Sequence, residues 1–354
     1  MNERHIYRSQ YDIPFLPDEI HLRGKGMRRR EFIALVGSTA AAWPLMVSAQ
    51  PPALPVVGVV SGRSPESDTR NVSAFYKGLG EAGYVDGQNV TVEYHWVEGR
   101  YDRLPAVMAD LVRRQVAVIA TTGNNTAALA AKAATTKIPI VFAVGADPVK
   151  LGLVASLARP GGNATGVNGF LAEVDAKRLR LLHDMVPKAV RVAVLVNPAN
   201  TWSAEGALQG TQEAAAATGL QLRILNATTI ADIDAAFAGF AQERPDALFV
   251  AADSFFSSRA VQLIILAARE RLPAVYSLRD FVIAGGLMGY GADLAEMVRQ
   301  VGVYTGSVLK GAKPTDLPVL QSTKFDFAIN LQTARALDIE VPSGLLSIAD
   351  EVIE

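Results

Sequence analysis

From Pro55 onward, short aliphatic runs alternate with amphipathic stretches, and the series occurs twice in the same order. The first reads "PVVGVV" (55–60), "DTRNVSAFYKGLGEAGY" closed by Gly83, "NVTVEYHW", "YDRLPAVMADLVRR", "VAVIAT", a helical stretch from about Asn125 to Thr136, and "IPIVFA". The second runs from "VRVAVLVN" (190–197) through "SAEGALQGTQEAAAATG", "LQLRILN", "DIDAAFAGFAQER", "DALFVAA" and "SSRAVQLIILAARER" to "PAVYS". Continuous Val/Ile/Leu runs joined by helical periods mean parallel strands buried on both faces. The fold class is therefore α/β, with two doubly wound parallel-sheet lobes.

Two glycine-rich stretches, "LARPGGNATGVNGF" (157–170) and "IAGGLMGYG" (283–291), read as connectors. A long helical stretch, "ADLAEMVRQVGVYTGSVLKG", and the tail "LPVLQSTKFDFAINLQTARAL" follow, which implies a third crossing between the lobes. The first lobe is expected over residues 50–165 plus about 288–317, and the second over 166–287 plus about 318–354.

Upstream, Met27 opens "MRRREFIALVGSTAAAWPLMVSAQ". Arg28, Arg29 and Arg30 precede an apolar run from Phe32 to Val47, and Val47-Ser48-Ala49 is close to an A-x-A cleavage site, so residues 27–49 read as an export signal. Arg29-Arg30-Glu31-Phe32-Ile33 resembles the twin-arginine form. Ser38, Thr39 and Pro44 interrupt the run, which is shorter than the ~20 apolar residues of a membrane span. Residues 1–26 carry no periodicity or targeting logic and read as a misassigned leader. The mature chain is expected to begin near Gln50, in the periplasm.

Residues 1–49 hold 7 of the 34 Lys/Arg and 5 of the 35 Asp/Glu, so removing them leaves 27 and 30, a net charge of −3 with no attraction for nucleic acid. The chain has no cysteine, which excludes disulfides and thiolate metal sites. Only His95 and His183 remain after residue 49, without the spacing of a metal pair. No G-x-S-x-G elbow, Walker loop or H-E-x-x-H is present. Gly58 and Gly62 do not complete a dinucleotide fingerprint. No catalytic residue, metal or cofactor is expected.

"IPIVFAVGADPVKLGLVASLARPGGNATGV", "VLVNPAN", "YSLRDFVIAGGLMGYGAD" and "LKGAKPTDLPVLQSTKFDFAINLQTARALDIEVP" closely resemble the substrate-binding proteins of a bacterial ABC transporter family related to tryptophan/tyrosine uptake proteins. The similarity covers nearly all of residues 55–354, with the motifs in order. It implies the type I periplasmic binding protein fold, an exported small-molecule receptor, and a membrane permease with its ATPase as partners. A monomer is expected. It does not transfer a ligand; an amino acid or other small carboxylate is the first choice. A receptor reporting solute to a membrane kinase or chemoreceptor is the alternative. Repressors that share such lobes need a helix-turn-helix where the signal stands.

In open α/β sheets ligands sit beyond the carboxyl ends of the strands. Those positions are Ser61-Gly62, Thr122-Gly123-Asn124 and Val144 to Asp147 in the first lobe, and Asn197 to Trp202 (with Asn200), Asp253-Ser254 and Tyr276-Ser277 in the second. Thr122-Gly123-Asn124 opens a helix whose free amides suit a carboxylate, or merely caps it. Trp202 stacks on a solute or packs in the core. Tyr290 closes the cleft or fills a hinge. Asp147 accepts an amine or caps "PVKLGLVASLA". Asp253 accepts a ligand ammonium or caps the helix near Phe255.

Overall fold

The structure, a computed structural model, describes residues 53–169 and 171–354. The leader, export signal and cleavage site expected within residues 1–49 lie outside the described residues.

The aliphatic runs become two sheets. The first contains β1 (Val56–Ser61), β2 (Thr91–Trp96), β3 (Val118–Thr122), β4 (Ile140–Val144), β5 (Ala164–Asn168) and, late in the chain, β11 (Leu320–Gln321), ordered β11-β5-β4-β3-β1-β2 and parallel throughout. The second contains β6 (Arg191–Val196), β7 (Gln221–Asn226), β8 (Ala247–Val250), β9 (Ala274–Tyr276), β10 (Met288–Ala292), β12 (Phe325–Asn330) and β13 (Glu351–Ile353). Its order is β13-β12-β10-β9-β8-β6-β7, and only β12 against β10 is antiparallel.

Both faces of each sheet are covered, as uninterrupted apolar strands require. Strand alternation sends Val57 and Val59 toward Phe75, Leu79, Val298 and Val301, from helices Thr69–Glu81 and Leu294–Leu309. Val60 faces the other way, toward Met108, Leu111 and Ala127 of helices Leu104–Arg113 and Asn125–Ala134. The second lobe repeats this plan. Val192 and Val194 pack on helices Leu171–Met185 and Thr201–Thr218, while Ala193 and Leu195 pack on Ile230–Ala238 and Ala260–Arg269. No described helix is long and apolar enough to cross a membrane.

The chain passes between the sheets three times: after β5, between β10 and helix Leu294–Leu309, and between β11 and β12. These points shift the expected boundaries by a few residues. Met288–Ala292, expected with the first lobe, pairs with β9 and β12 of the second; Leu320–Gln321, expected with the second, pairs with β5 of the first. The glycines of "IAGGLMGYG" suggested a connector, yet Gly291 lies within a strand, where a Cβ would overlap the Ser277 carbonyl. Glycine there reflects close backbone approach rather than a turn.

Candidate ligand-binding cleft

In each sheet the strand order reverses once on the cleft side, between β1 and β3 in the first and between β6 and β8 in the second. Loops leaving the strands at such a switch point diverge and leave a crevice. The loops after β1 and β3 carry Gly62, Arg63, Gly123 and Asn124; those after β6 and β8 carry Asn197, Asn200 and Asp253. The two crevices face each other.

The lobes are closed on one another. Tyr101 Oη donates to Asp253 Oδ2 at 2.8 Å, Asn124 Nδ2 to Ser254 Oγ at 3.3 Å, and Thr126 Oγ1 to Asn200 Oδ1 at 3.4 Å. Nearer the rim the Ser64 amide donates to Ser258 Oγ at 3.1 Å, and Arg70 pairs with Asp280 at 3.2 Å. Gly62 is pressed into this seam: a Cβ would lie 2.6 Å from Asn124 Nδ2 and 2.7 Å from Ser254 Cβ, so a larger residue has to displace these side chains at the lobe contact.

Asp253 is the polar centre of the closure. Its Oδ1 accepts from Asn197 Nδ2 and the Phe255 amide, both at 2.9 Å, and its Oδ2 from Tyr101 Oη and Asn200 Nδ2, both at 2.8 Å. A carboxylate offers about four acceptor sites, and all are taken. An ammonium would have to displace one of these donors. Burial raises the Asp253 pKa, against the downward pull of its side-chain donors. Burial, and then the Asp253 charge, push the Tyr101 phenol well up, so it remains a neutral donor.

Between the seam contacts lies a cavity of about 70 Å³, below the usual range for small-molecule sites while the lobes are this tightly closed. Arg63, Gly123 and Asn125 line it from the first lobe and Ser254, Ser257 and Ser277 from the second, with Leu278, Leu294 and Met297 adding an apolar wall. Asn125 Oδ1 accepts from the Gly145 and Ala146 amides, tying the β3 loop to the β4 loop.

Of the residues expected at the site, Gly123, Val144, Gly145, Asn200, Asp253, Ser254 and Ser277 line this cavity. Gly62 and Asn124 form the seam, and Asn124 also caps helix Asn125–Ala134 through the Ala127 amide at 2.9 Å. Ser61 Oγ accepts from the Arg63 amide at 3.2 Å, and Asn197 holds Asp253, so both act from behind the wall. Among the described residues the buried Thr122 hydroxyl has no hydrogen-bond partner.

Four expected residues stand elsewhere. Asp147 caps its own turn, accepting from the Val149 amide at 2.8 Å. Trp202 is 41 % exposed on the helix after β6 and lies in neither core nor cavity. Tyr276 points into the second lobe's core and stacks on Phe281 at 4.7 Å, because strand alternation presents the following Ser277 to the cleft instead. Tyr290 is buried against Phe325, with Lys177 Nζ donating to its hydroxyl at 3.0 Å. Arg63 and Tyr101 were not anticipated. Arg63 directly follows Ser61-Gly62, while Tyr101 opens a helical stretch and gives no local sign of a partner so distant. Among the described residues no group of three or more His, Cys, Asp or Glu could hold a metal.

The sequence profile of the ABC transporter substrate binding protein family matches residues 56–353, nearly the whole described chain. The chain belongs to this family. This substrate-binding protein is 26 % identical over 266 residues to a tyrosine-binding protein of Clostridioides difficile, covering 75 % of this chain and 76 % of the relative. Among solved structures it is similar to an ABC domain from Streptococcus pneumonia in complex with L-Trp, with 25 % identity, a TM-score of 0.77, and 85 % of this chain and 100 % of the other covered. A conserved domain protein from Vibrio cholerae matches with 25 % identity and a TM-score of 0.75, over 84 % of this chain and 99 % of the other. The substrate-binding protein thus has the type I periplasmic binding fold expected from its two series of strands.

Proposed function

We propose that this substrate-binding protein captures a small organic carboxylate, an amino acid first among them, between its lobes outside the cytoplasmic membrane and delivers it to an ABC permease with its ATPase. The observation that carries the reading is the cavity enclosed at two facing switch points, with polar walls from both lobes and seam contacts that form only when the lobes meet. A solute touching both walls stabilises closure, since only differential contact shifts such an equilibrium. The related proteins that bind tyrosine and L-Trp support an amino-acid ligand. The sequence of residues 27–49 supports export. We assign no catalytic step.

A thermal-shift screen against amino acids, aromatic acids and nucleobases tests the reading. A ligand at 100 times its dissociation constant stabilises by about 2.7 kcal/mol. A screen in which nucleobases stabilise and no carboxylate does would overturn the ligand class.

A further inference from the structure

Among the described residues, Arg63 is the one cationic side chain that lines the cavity. It is 4 % exposed, a depth at which charged residues are almost always paired. Its position is fixed by the chain around it: the amide donates to Ser61 Oγ at 3.2 Å, the carbonyl accepts from the Glu98 amide at 3.2 Å, and Nη1 donates to the Ser67 carbonyl at 2.6 Å.

The rest of the guanidinium is unspent. Among the described residues Nε and Nη2 make no hydrogen bond. The closest carboxylate, Asp280, stands at 3.9 Å across the cleft, beyond hydrogen-bond length, and is shared with Arg70 at 3.2 Å. Asp68, the other anion that acts on Arg63, is committed to Asn71 Nδ2 at 2.8 Å and Trp96 Nε1 at 3.1 Å. The side chain also borders the groove that opens from the seam to solvent. Beside it, Gly62 packs on Asn124, so Arg63 stands next to the amino end of helix Asn125–Ala134, whose dipole favours an anion.

The cavity therefore holds a buried cation with donors to spare and, in Asp253, a carboxylate with no acceptor to spare. We infer that Arg63 is the anchor for the ligand's carboxylate, presenting its remaining N–H groups as a fork to the two oxygens, and that it selects acids over their neutral amides. This rests on the proposed capture of a small carboxylate. Arginine suits the task because a planar fork matches a carboxylate in two parallel hydrogen bonds, which a lysine ammonium cannot reproduce.

The test pairs ligand and protein changes. Wild-type protein and Arg63→Gln are titrated calorimetrically with acid and amide partners: L-tyrosine and L-tyrosinamide, L-leucine and L-leucinamide, benzoate and benzamide. Wild type is expected to bind at least one acid about thirtyfold or more tighter than its amide, and Arg63→Gln is expected to lower that preference below about threefold. An acid preference that survives Arg63→Gln overturns the Arg63 assignment and leaves the proposed function standing. A wild-type protein that binds no acid, or binds amides as tightly, overturns both. If circular dichroism shows Arg63→Gln unfolded, Arg63→Lys carries the test: it keeps the charge and loses the fork, so an affinity reduced about tenfold supports the assignment and an unchanged affinity refutes it.

Discussion

Tyr101 and Asp253, 152 residues apart, meet across the cleft in a 2.8 Å hydrogen bond that links the first lobe's core to the polar centre of the second. Tyr101 packs with Leu104 and Met108, so its hydroxyl is delivered to the seam by a well-anchored ring. The bond exists only while the lobes are closed.

Tyr101→Phe should keep the packing and remove one donor from a buried carboxylate, a loss of about 1 kcal/mol or more for the closed state. That is roughly fivefold on any equilibrium between closed and open forms. Inter-lobe distances from paired spin labels in the ligand-free protein should shift toward the open form. An unchanged distance distribution would show that the bond does not hold the lobes.

Asp253→Asn replaces one oxygen with an N–H donor, which must face either the Asn197 and Phe255 pair or the Asn200 and Tyr101 pair. The expected cost is about 1–3 kcal/mol of folding stability, read from urea denaturation. Because all four acceptor sites are already filled, the affinity ratio between an amino acid and its des-amino acid should not change. A ratio that falls in this variant would give Asp253 the ammonium.

Much of the fold is legible in the residues, because Val57 to Val60 and Val192 to Val196 can be satisfied only by burial on both faces. The seam is less so. Tyr101 and Arg63 look ordinary in the chain, and their roles come from partners or vacancies that folding brings together. Tyr276 and Tyr290 mislead for the opposite reason: they end or occupy strands at cleft level, but the pleat decides which way each side chain points, and one residue separates core from cavity. Gly289 and Gly291 read as a hinge because close backbone packing and turn freedom select the same residue.

Glu296 offers a test of the return helix. It accepts from Arg299 Nε at 2.8 Å and Nη2 at 2.6 Å, and Arg299 also reaches Glu81 on helix Thr69–Glu81. Hydrogen bonds from Arg299, with a further one from Gln300, hold the Glu296 carboxyl down to about 2 from its ordinary 4.5. A depressed acid contributes stability above its unfolded pKa and loses it as pH falls toward the folded value. The pair is partly solvent-screened, so Glu296→Gln should cost under ~1 kcal/mol at neutral pH. The difference from wild type should shrink as pH falls from 4.5 toward 2. A melting difference that grows over that range would contradict the ion pair.

The central claim, that a small carboxylate is held between closed lobes, is tested most directly by calorimetric titration of wild type and Gly62→Val with the acid that binds best. In the variant the new side chain meets Asn124 and Ser254 and blocks closure while each lobe keeps its own core. Wild type should bind one equivalent of the acid, and Gly62→Val should lose about thirtyfold or more in affinity. Equal binding by the two proteins would place the ligand outside the cleft and contradict the claim.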